Sequence, residues 1–347
     1  MLILDLLNPP TVRSIDPGNH SHRLLPDDCA ILNNTPFIRP EISWDQFYQQ
    51  LRQIQAQGIS QKYVFVDGSY DPIKYSDSEI QEKMQSIAEF FPNNKTVFLS
   101  SKACHYFDEL PWIIYYPFCF LNHYQDDIDI PRSRRIGCLN RQNTPHRPWL
   151  MHNLLSQGLI DAERDVFSIS FTSVYDDVSY SDIAGWLGKE PGFNNVLKRW
   201  PSKIATHPDD FYNDWTTHHP AWHTAIAIIT ETDVGDATMV TEKTMKGIMS
   251  KSCWSSYMAD SGYQLLEAFG FEPRLFADHA SYTDIDPILN ICRTFDTESA
   301  AMDYYHSKLN VIEHNFEWYG GLGGSTHKIG PWADRFLPKF RARLQSL

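Results

Sequence analysis

Apolar positions in this chain follow two rhythms that take turns along its first third. The stretch SWDQFYQQLRQIQAQG (43–58) opens on a serine, repeats its apolar side chains at helical spacing and stops at Gly58, which predicts a capped amphipathic helix. KYVFVDGSYD (62–71) holds its apolar run up to Asp67-Gly68, as a buried strand entering a turn should. SDSEIQEKMQSIAEFF (76–91) predicts a second capped helix, and KTVFLSS (95–101) and WIIYYPFCF (112–120) predict two more strands. Strands alternating with helices imply βαβ units and a parallel sheet, because parallel neighbours need a crossover connection. The first 40 residues, rich in Pro, Asn and Asp, predict an irregular wrap over a surface.

The rhythm breaks at NHYQDDIDIPRSRR (122–135), a polar stretch with a proline that predicts a domain linker, and then restarts. RIGCLN (135–140), DVFSISFTS (165–173), TAIAIITET (224–232) and CWSSYMA (253–259) predict strands, with a short further one at EPRLF (272–276). HRPWLMHNLLSQG (146–158, closed by Gly158), TEKTMKGIMS (241–250) and GYQLLEAFG (262–270) predict helices. A long helix is expected over 297–318, then a Gly-rich crossing, then a terminal helix in PWADRFLPKFRARLQ (331–345). At 347 residues the chain exceeds what one hydrophobic core usually organises. The expected architecture is therefore α/β, with domains at 1–130 and 131–325, a terminal segment at 326–347, and a cleft between the two domains. Ligands of open α/β sheets bind beyond the carboxyl ends of the strands, so the loops after strands are where chemistry is sought.

Composition narrows the class. Hydrophobic residues at 42% and charged residues at 21% fit a globular chain and exclude a disordered or fibrous one. Against 30 Lys and Arg stand 43 Asp and Glu, a formal charge of −13 that repels phosphate backbones, so no nucleic-acid partner is expected. The nearest basic stripe, Arg132, Arg134, Arg135, Arg141, His146 and Arg147, is too short for a duplex and adequate for one diphosphate. Six scattered cysteines without a CxxC pair read as reduced thiols, hence a cytoplasmic protein. MLILDLLNPP lacks a basic start, carries Asp5 and breaks at Pro9-Pro10, unlike a signal peptide. No apolar stretch reaches the roughly 20 residues of a transmembrane helix.

The segment TETDVGDATMVTEKTMKGIMSKSCWSSYMADSG (230–262) concentrates the candidate chemistry. Glu231 falls at the carboxyl end of a continuously apolar strand, and Thr241 sits where an N-cap belongs. Glu242 and Lys243 thus occupy the first turn of a helix, where unpaired backbone N–H groups and the helix dipole attract a diphosphate. Lys243 adds a point charge, and the carboxylates of Glu231 and Glu242 accept hydrogen bonds from sugar hydroxyls. Plain capping produces the same residues, since Thr followed by Glu opens many ordinary helices. In THHPAWH, His219 and His223 are spaced i, i+4, and with His207 or His218 they outline a metal site on one helical face. No Glu lies between them and Pro220 adjoins His219, so the expectation is solvated imidazoles and no metal. YGGLGGSTHK fits neither a dinucleotide nor a phosphate loop, and the acidic SVYDDVSYSD reads as a solvated loop.

The segment from Thr230 through GYQLLEAFGFE resembles the donor-binding segment of fucosyltransferase-like and related bacterial and viral glycosyltransferases of the GT-B fold. There an acid follows a strand, Thr-Glu-Lys opens a helix, and an apolar strand and a Gly-containing turn come next. CLNRQNTPHRPWLMHNLLSQGLID (138–161) is similar to the block preceding that segment, and ASYTDIDPILN with LNVIEHNFEWY gives a weaker echo. The resemblance covers residues 135–320. Two departures are the bulky SKSCWSSYMA after the helix and an acid, Asp278, set back from SYTDI.

The resemblance implies two Rossmann-like domains facing a central cleft, with the terminal helix packing back on the first. It implies metal-independent transfer of a sugar from a GDP- or UDP-sugar to an acceptor hydroxyl, with no resident cofactor. By the same resemblance Arg141 and Arg147 neutralise the diphosphate, Glu231 holds the donor sugar, Glu242 the ribose and Lys243 a phosphate, while Asn140 positions the loop or caps the strand. Without it, Arg141 and Arg147 read equally as a solvated pair at a helix start. An inverting transfer needs a base near the acceptor. Asp67 and Asp71, after YVFV, are placed for that role, with His105 and Glu109 as alternatives. Two rival readings are a non-catalytic nucleotide- or glycan-binding module of the same fold and a zinc hydrolase using the histidines.

Overall fold

Strands β1 (Leu2–Asp5), β2 (Thr11–Ser14), β3 (Cys29–Asn33), β4 (Tyr63–Gly68), β5 (Lys95–Ser100) and β6 (Ile113–Tyr115) form one sheet in the order β2-β1-β3-β4-β5-β6. Every neighbouring pair in it is parallel except β1 and β2. The computed structural model describes residues 1–5, 11–14, 24–33, 35–37, 39, 41–68, 75–108, 110–121, 131–140, 146–170, 203–206, 223–231, 239–280, 284–320 and 330–346. The described residues of the chain's start are therefore not an irregular wrap. Three short strands within it complete one side of the sheet, and strands of four or five residues between prolines are too brief to show a period of their own.

Helices α1 (Trp44–Gln55) and α2 (Asp77–Ala88) begin at Ser43 and Ser76. Each serine accepts from the backbone N–H three residues on, and Gln46 and Glu79 reach back to the cap. Such reciprocal boxes satisfy two otherwise orphan donors. Phe47, Leu51 and Ile54 of α1 and Ile80, Met84 and Ile87 of α2 share one core with Ala30, Leu32, Val64, Val66 and Phe98 of the sheet. A fully buried side chain of this kind contributes about 1.5–3 kcal/mol over an exposed one. The run 112–120 is only partly strand: after β6 the chain turns into the one-turn helix α3 (Phe118–Leu121). Met1–Asn122 groups with Ala333–Leu347 as one compact unit. Within it the C-terminal helix, Trp332–Ser346, sets Phe336 against Tyr115 and Phe340 against Tyr116, and Arg343 donates to the Leu110 carbonyl.

The second unit, His123–Trp332, is built on β7 (Arg134–Leu139), β8 (Val166–Ser170), β9 (Lys203–Ala205), β10 (Thr224–Thr230) and β11 (Cys253–Tyr257), in the order β11-β10-β7-β8-β9. Only β8 and β9 pair antiparallel. Among its described residues the helices are α4 (His146–Ser156), α5 (Glu242–Met249), α6 (Asp260–Ala268), α7 (Asp286–Thr294), α8 (Glu298–Ser307) and α9 (Leu309–Tyr319). The expected single helix over 297–318 divides at Lys308, and EPRLF is a loop, with Pro273 denying it a ladder donor. Gly158, at φ 65°, closes the chain after α4 as Gly58, at φ 73°, does after α1.

A buried ion pair ties β7 to its surroundings. Arg135 donates from Nε and Nη2 to Asp165 at 3.0 and 2.6 Å, and from Nη2 and Nη1 to the carbonyls of Leu159 and Phe295. Asp165 in turn accepts from the N–H groups of Ile136 and Asp161. Among the described residues no helix is long and apolar enough to cross a membrane.

Candidate functional site

Strands β7 and β10 are parallel neighbours, yet the chain leaves them in opposite directions. From β7 it runs through α4 to β8, and from β10 through α5 to β11, on the other side. In open α/β sheets the carboxyl ends of strands at such a reversal are the usual ligand position. Asn140 follows β7 there and Glu231 follows β10, while α4 and α5 begin nearby with His146-Arg147 and Glu242-Lys243. Gly247 sets α5 against the sheet: a Cβ at this position would lie 2.5 Å from Ile229 Cδ1 and 3.3 Å from Trp254.

A buried hydrogen-bond network joins these ends. Thr230 Oγ1 donates to Asn140 Oδ1, linking β10 to β7, and the Asn140 amide donates to the Cys138 sulfur. His146 Nε2 donates to the Glu231 carbonyl at 2.8 Å, and Arg147 Nη2 donates to the carbonyls of Thr230 and Glu231 at 3.0 and 3.3 Å. Strand end and helix start are thus fastened through side chains rather than through a ladder.

Glu231 is 0% exposed, so its carboxylate is occupied inside the protein. Oε1 accepts from the Thr241 N–H at 3.0 Å and from Thr244 Oγ1 at 2.5 Å, and Oε2 accepts from Thr241 Oγ1. Thr241 caps α5 by accepting from the Lys243 N–H at 3.3 Å. Burial raises the Glu231 carboxyl above the ordinary range, opposed by the Lys243 charge and the threonine donors. The geometry makes Glu231 the anchor of the α5 N-terminus; Glu242 and Lys243, ion-paired at 2.8 Å and partly exposed, are the charged groups solutes reach.

His146 is wholly buried, and desolvation, reinforced by the adjacent Arg147 cation, holds it well below the usual imidazole range. An unfolded chain protonates such a ring near pH 6.5, so below that pH the unfolded state binds more protons than the folded one. The contribution is intact above about pH 6.5 and is lost as the pH falls, by up to about 1.4 kcal/mol per pH unit for one proton. His146→Gln keeps an N–H for the Glu231 carbonyl. It is expected to flatten the dependence of the unfolding midpoint between pH 6.5 and 5, whereas parallel curves for the two proteins would refute the assignment.

The other sequence-level candidates are dispersed. The basic stripe does not act as one patch: Arg135 is buried against Asp165, Arg132 donates to the carbonyls of Ser250 and Lys251, and His146 is held neutral. Asp67, in the first unit, is 2% exposed at the end of β4, and Thr35 Oγ1 donates to its carbonyl. Asp71, Glu109, Arg141, His207, His218 and His219 lie outside the described residues, as do SVYDDVSYSD and most of YGGLGGSTHK; His223 is half-buried. The sequence reading missed Thr230 and Thr244. Thr244 is three residues after Thr241, hence on the same helical face, which was the signal available for it. A scan of the chain against protein-family models finds no match, and searches of curated proteins and of solved structures find none either.

Proposed function

We propose that the protein is a glycosyltransferase whose second unit holds a GDP- or UDP-sugar at the β7/β10 reversal and passes the sugar to an acceptor hydroxyl. One observation carries the reading: at a single crevice the α5 N-terminus, fixed by Glu231 and bearing Lys243, adjoins the strand ends held by Asn140 and Arg147. A helix start with an adjacent ammonium suits a diphosphate, and charge developing on it as the glycosidic bond breaks is stabilised by the same groups. Glu231 acts by positioning, and Glu242 is the carboxylate that reaches ribose hydroxyls. Arg147, buried on two carbonyls, lends its field to the site. Arg141 remains the proposed direct partner of the diphosphate. The proposal takes the two α/β units as the two domains of a GT-B enzyme, a layout in which a terminal helix belongs with the first domain, as Ala333–Leu347 belongs here. The base is assigned to Asp67 or Asp71.

Burial of Asp67 favours one alternative, a binding module of the same fold that lacks turnover. Thermal shifts with GDP, UDP and their sugars, with EDTA present, test the donor site in wild type and Lys243→Ala. A ligand at about a hundred times its Kd adds about 2.7 kcal/mol of stability. The expected result is a shift for one nucleotide that Lys243→Ala abolishes. Absence of a shift with every nucleotide would leave α5 a capped helix and remove the reading. Binding without sugar release to any acceptor or to water would select the module instead.

A further inference from the structure

In the first unit, a single 3₁₀ turn, Ala103–Tyr106, gathers three donors, of which only His105 entered the sugar-transfer reading, as an alternative base to Asp67 and Asp71. One donor atom each from Cys104, His105 and Asp108 lies within 4.8 Å of the other two. The turn is held by backbone bonds from His105 to the Lys102 carbonyl and from Phe107 and Asp108 to the Cys104 carbonyl, so the spacing Cys-His-x-x-Asp is locked to one side. His105 is 3% exposed. Its Nδ1 lies 2.6 Å from Ser100 Oγ, while its buried Nε2 faces Asp77 Oδ1 at 3.3 Å and has no better-aligned partner.

These are the features of an imidazole prepared for a metal. Metal-bound histidines donate their second nitrogen to an oriented acceptor, and Ser100 supplies that acceptor at Nδ1. Without metal the ring carries its proton at Nε2, facing the Asp77 carboxylate, and accepts from Ser100 at Nδ1; binding a cation at Nε2 displaces that proton and turns Ser100 Oγ into the acceptor. Thiolate, imidazole and carboxylate together suit zinc, where an all-oxygen set would suit calcium or magnesium. A dication held by the Cys104 thiolate and the Asp108 carboxylate leaves the site neutral. Lys102, 3.5 Å from Asp77, balances that acid as an outer pair. A cavity of about 370 Å³, lined by His105 and Asp108 together with Tyr115, Phe336 and Phe340, supplies the entry path and leaves a coordination position open, as in catalytic rather than structural zinc sites.

We propose that Cys104, His105 through Nε2, and Asp108 bind one zinc ion, with Ser100 and Asp77 as outer partners. The site lies within the first unit, and its test does not involve nucleotide.

The experiment is a cobalt titration of the full chain after removal of adventitious metal by chelator, followed by competition with zinc. The expected result is one cobalt per chain with visible bands of a low-coordinate ion and a near-ultraviolet thiolate charge-transfer band, all lost on adding zinc. Cys104→Ser should lose the charge-transfer band, Asp108→Asn should weaken binding, and Ser100→Ala should weaken it about 10–100-fold. Circular dichroism and the metal-free melting midpoint establish that each variant folds. Should Cys104→Ser fail to fold, the exposed Asp108→Asn still decides the matter. Three results would overturn the proposal: no stoichiometric binding, a charge-transfer band that survives in Cys104→Ser, or cobalt bound without thiolate character. The first would leave Ser100, His105 and Asp77 as a hydrogen-bond relay, and the last would place the metal elsewhere in the chain.

Discussion

Asp165→Ala is expected to destabilise the second unit by about 3–5 kcal/mol, the usual effect of stranding one partner of a buried ion pair. The magnitude follows from what the carboxylate does. It takes two charge-assisted bonds from Arg135 and two backbone N–H bonds, from Ile136 and Asp161. Its removal leaves a buried guanidinium and two buried donors without that acceptor, and Arg135 does not escape by deprotonation. Asp165→Asn, which keeps one acceptor oxygen but turns an NH2 toward a cation, should fall between wild type and alanine. Denaturant unfolding followed in the intact chain is the measurement, read as a change in midpoint at unchanged slope. A loss below about 1 kcal/mol would mean that the guanidinium reaches water and that the pair is not closed.

Glu231→Ala is expected to cost about 2–4 kcal/mol and to abolish the nucleotide-dependent thermal shift in the same protein. Each buried donor left unsatisfied costs about 1–3 kcal/mol, and Thr241 N–H, Thr241 Oγ1 and Thr244 Oγ1 all point at this carboxylate, though the two hydroxyls turn to other acceptors. Glu231→Gln separates charge from shape. Because burial raises the folded-state pKa, the folded protein binds this proton more tightly than the unfolded chain. Stability from this group is therefore present at low pH and declines as the pH rises from the ordinary carboxylate range through the raised value. The glutamine variant lacks that decline, so at neutral pH it should retain more stability than alanine. Thr241→Ala, which removes the cap and one donor, should cost about 1 kcal/mol. If Glu231→Ala behaves like a surface substitution, within about 0.5 kcal/mol of wild type, the carboxylate is not what holds α5 in place.

The candidate site was half legible. Thr241, Glu242 and Lys243 announce a helix start by local rules, and the structure has that start at Glu242 with Thr241 as its cap. What the local pattern does not reveal is the direction in which Glu231 faces. An acid after a strand reads as a ligand group, whereas here the chain returns Thr241 and Thr244, ten and thirteen residues on, onto its oxygens. The arginines show the same limit. Arg132 and Arg135 are close in sequence, but one sits on the C-terminal end of α5 and the other on Asp165, because residues an odd number apart along an extended chain face opposite sides.

By itself the sequence determined the α/β class, the starts of α1, α2 and α5, the glycine stops after α1 and α4, and the apolar runs of β4, β5, β10 and β11. All of these depend on periodicities, caps and stops that act within a few residues. Tertiary structure alone decided that β1 to β3 join a sheet, that β7 and β10 are neighbours with diverging crossovers, and that Glu231, Arg147 and His146 are buried together. Strand order is set by pairings between distant segments, such as Thr224 with Arg134 and Leu2 with Ala30, whose energy comes from mutual burial that no single segment encodes.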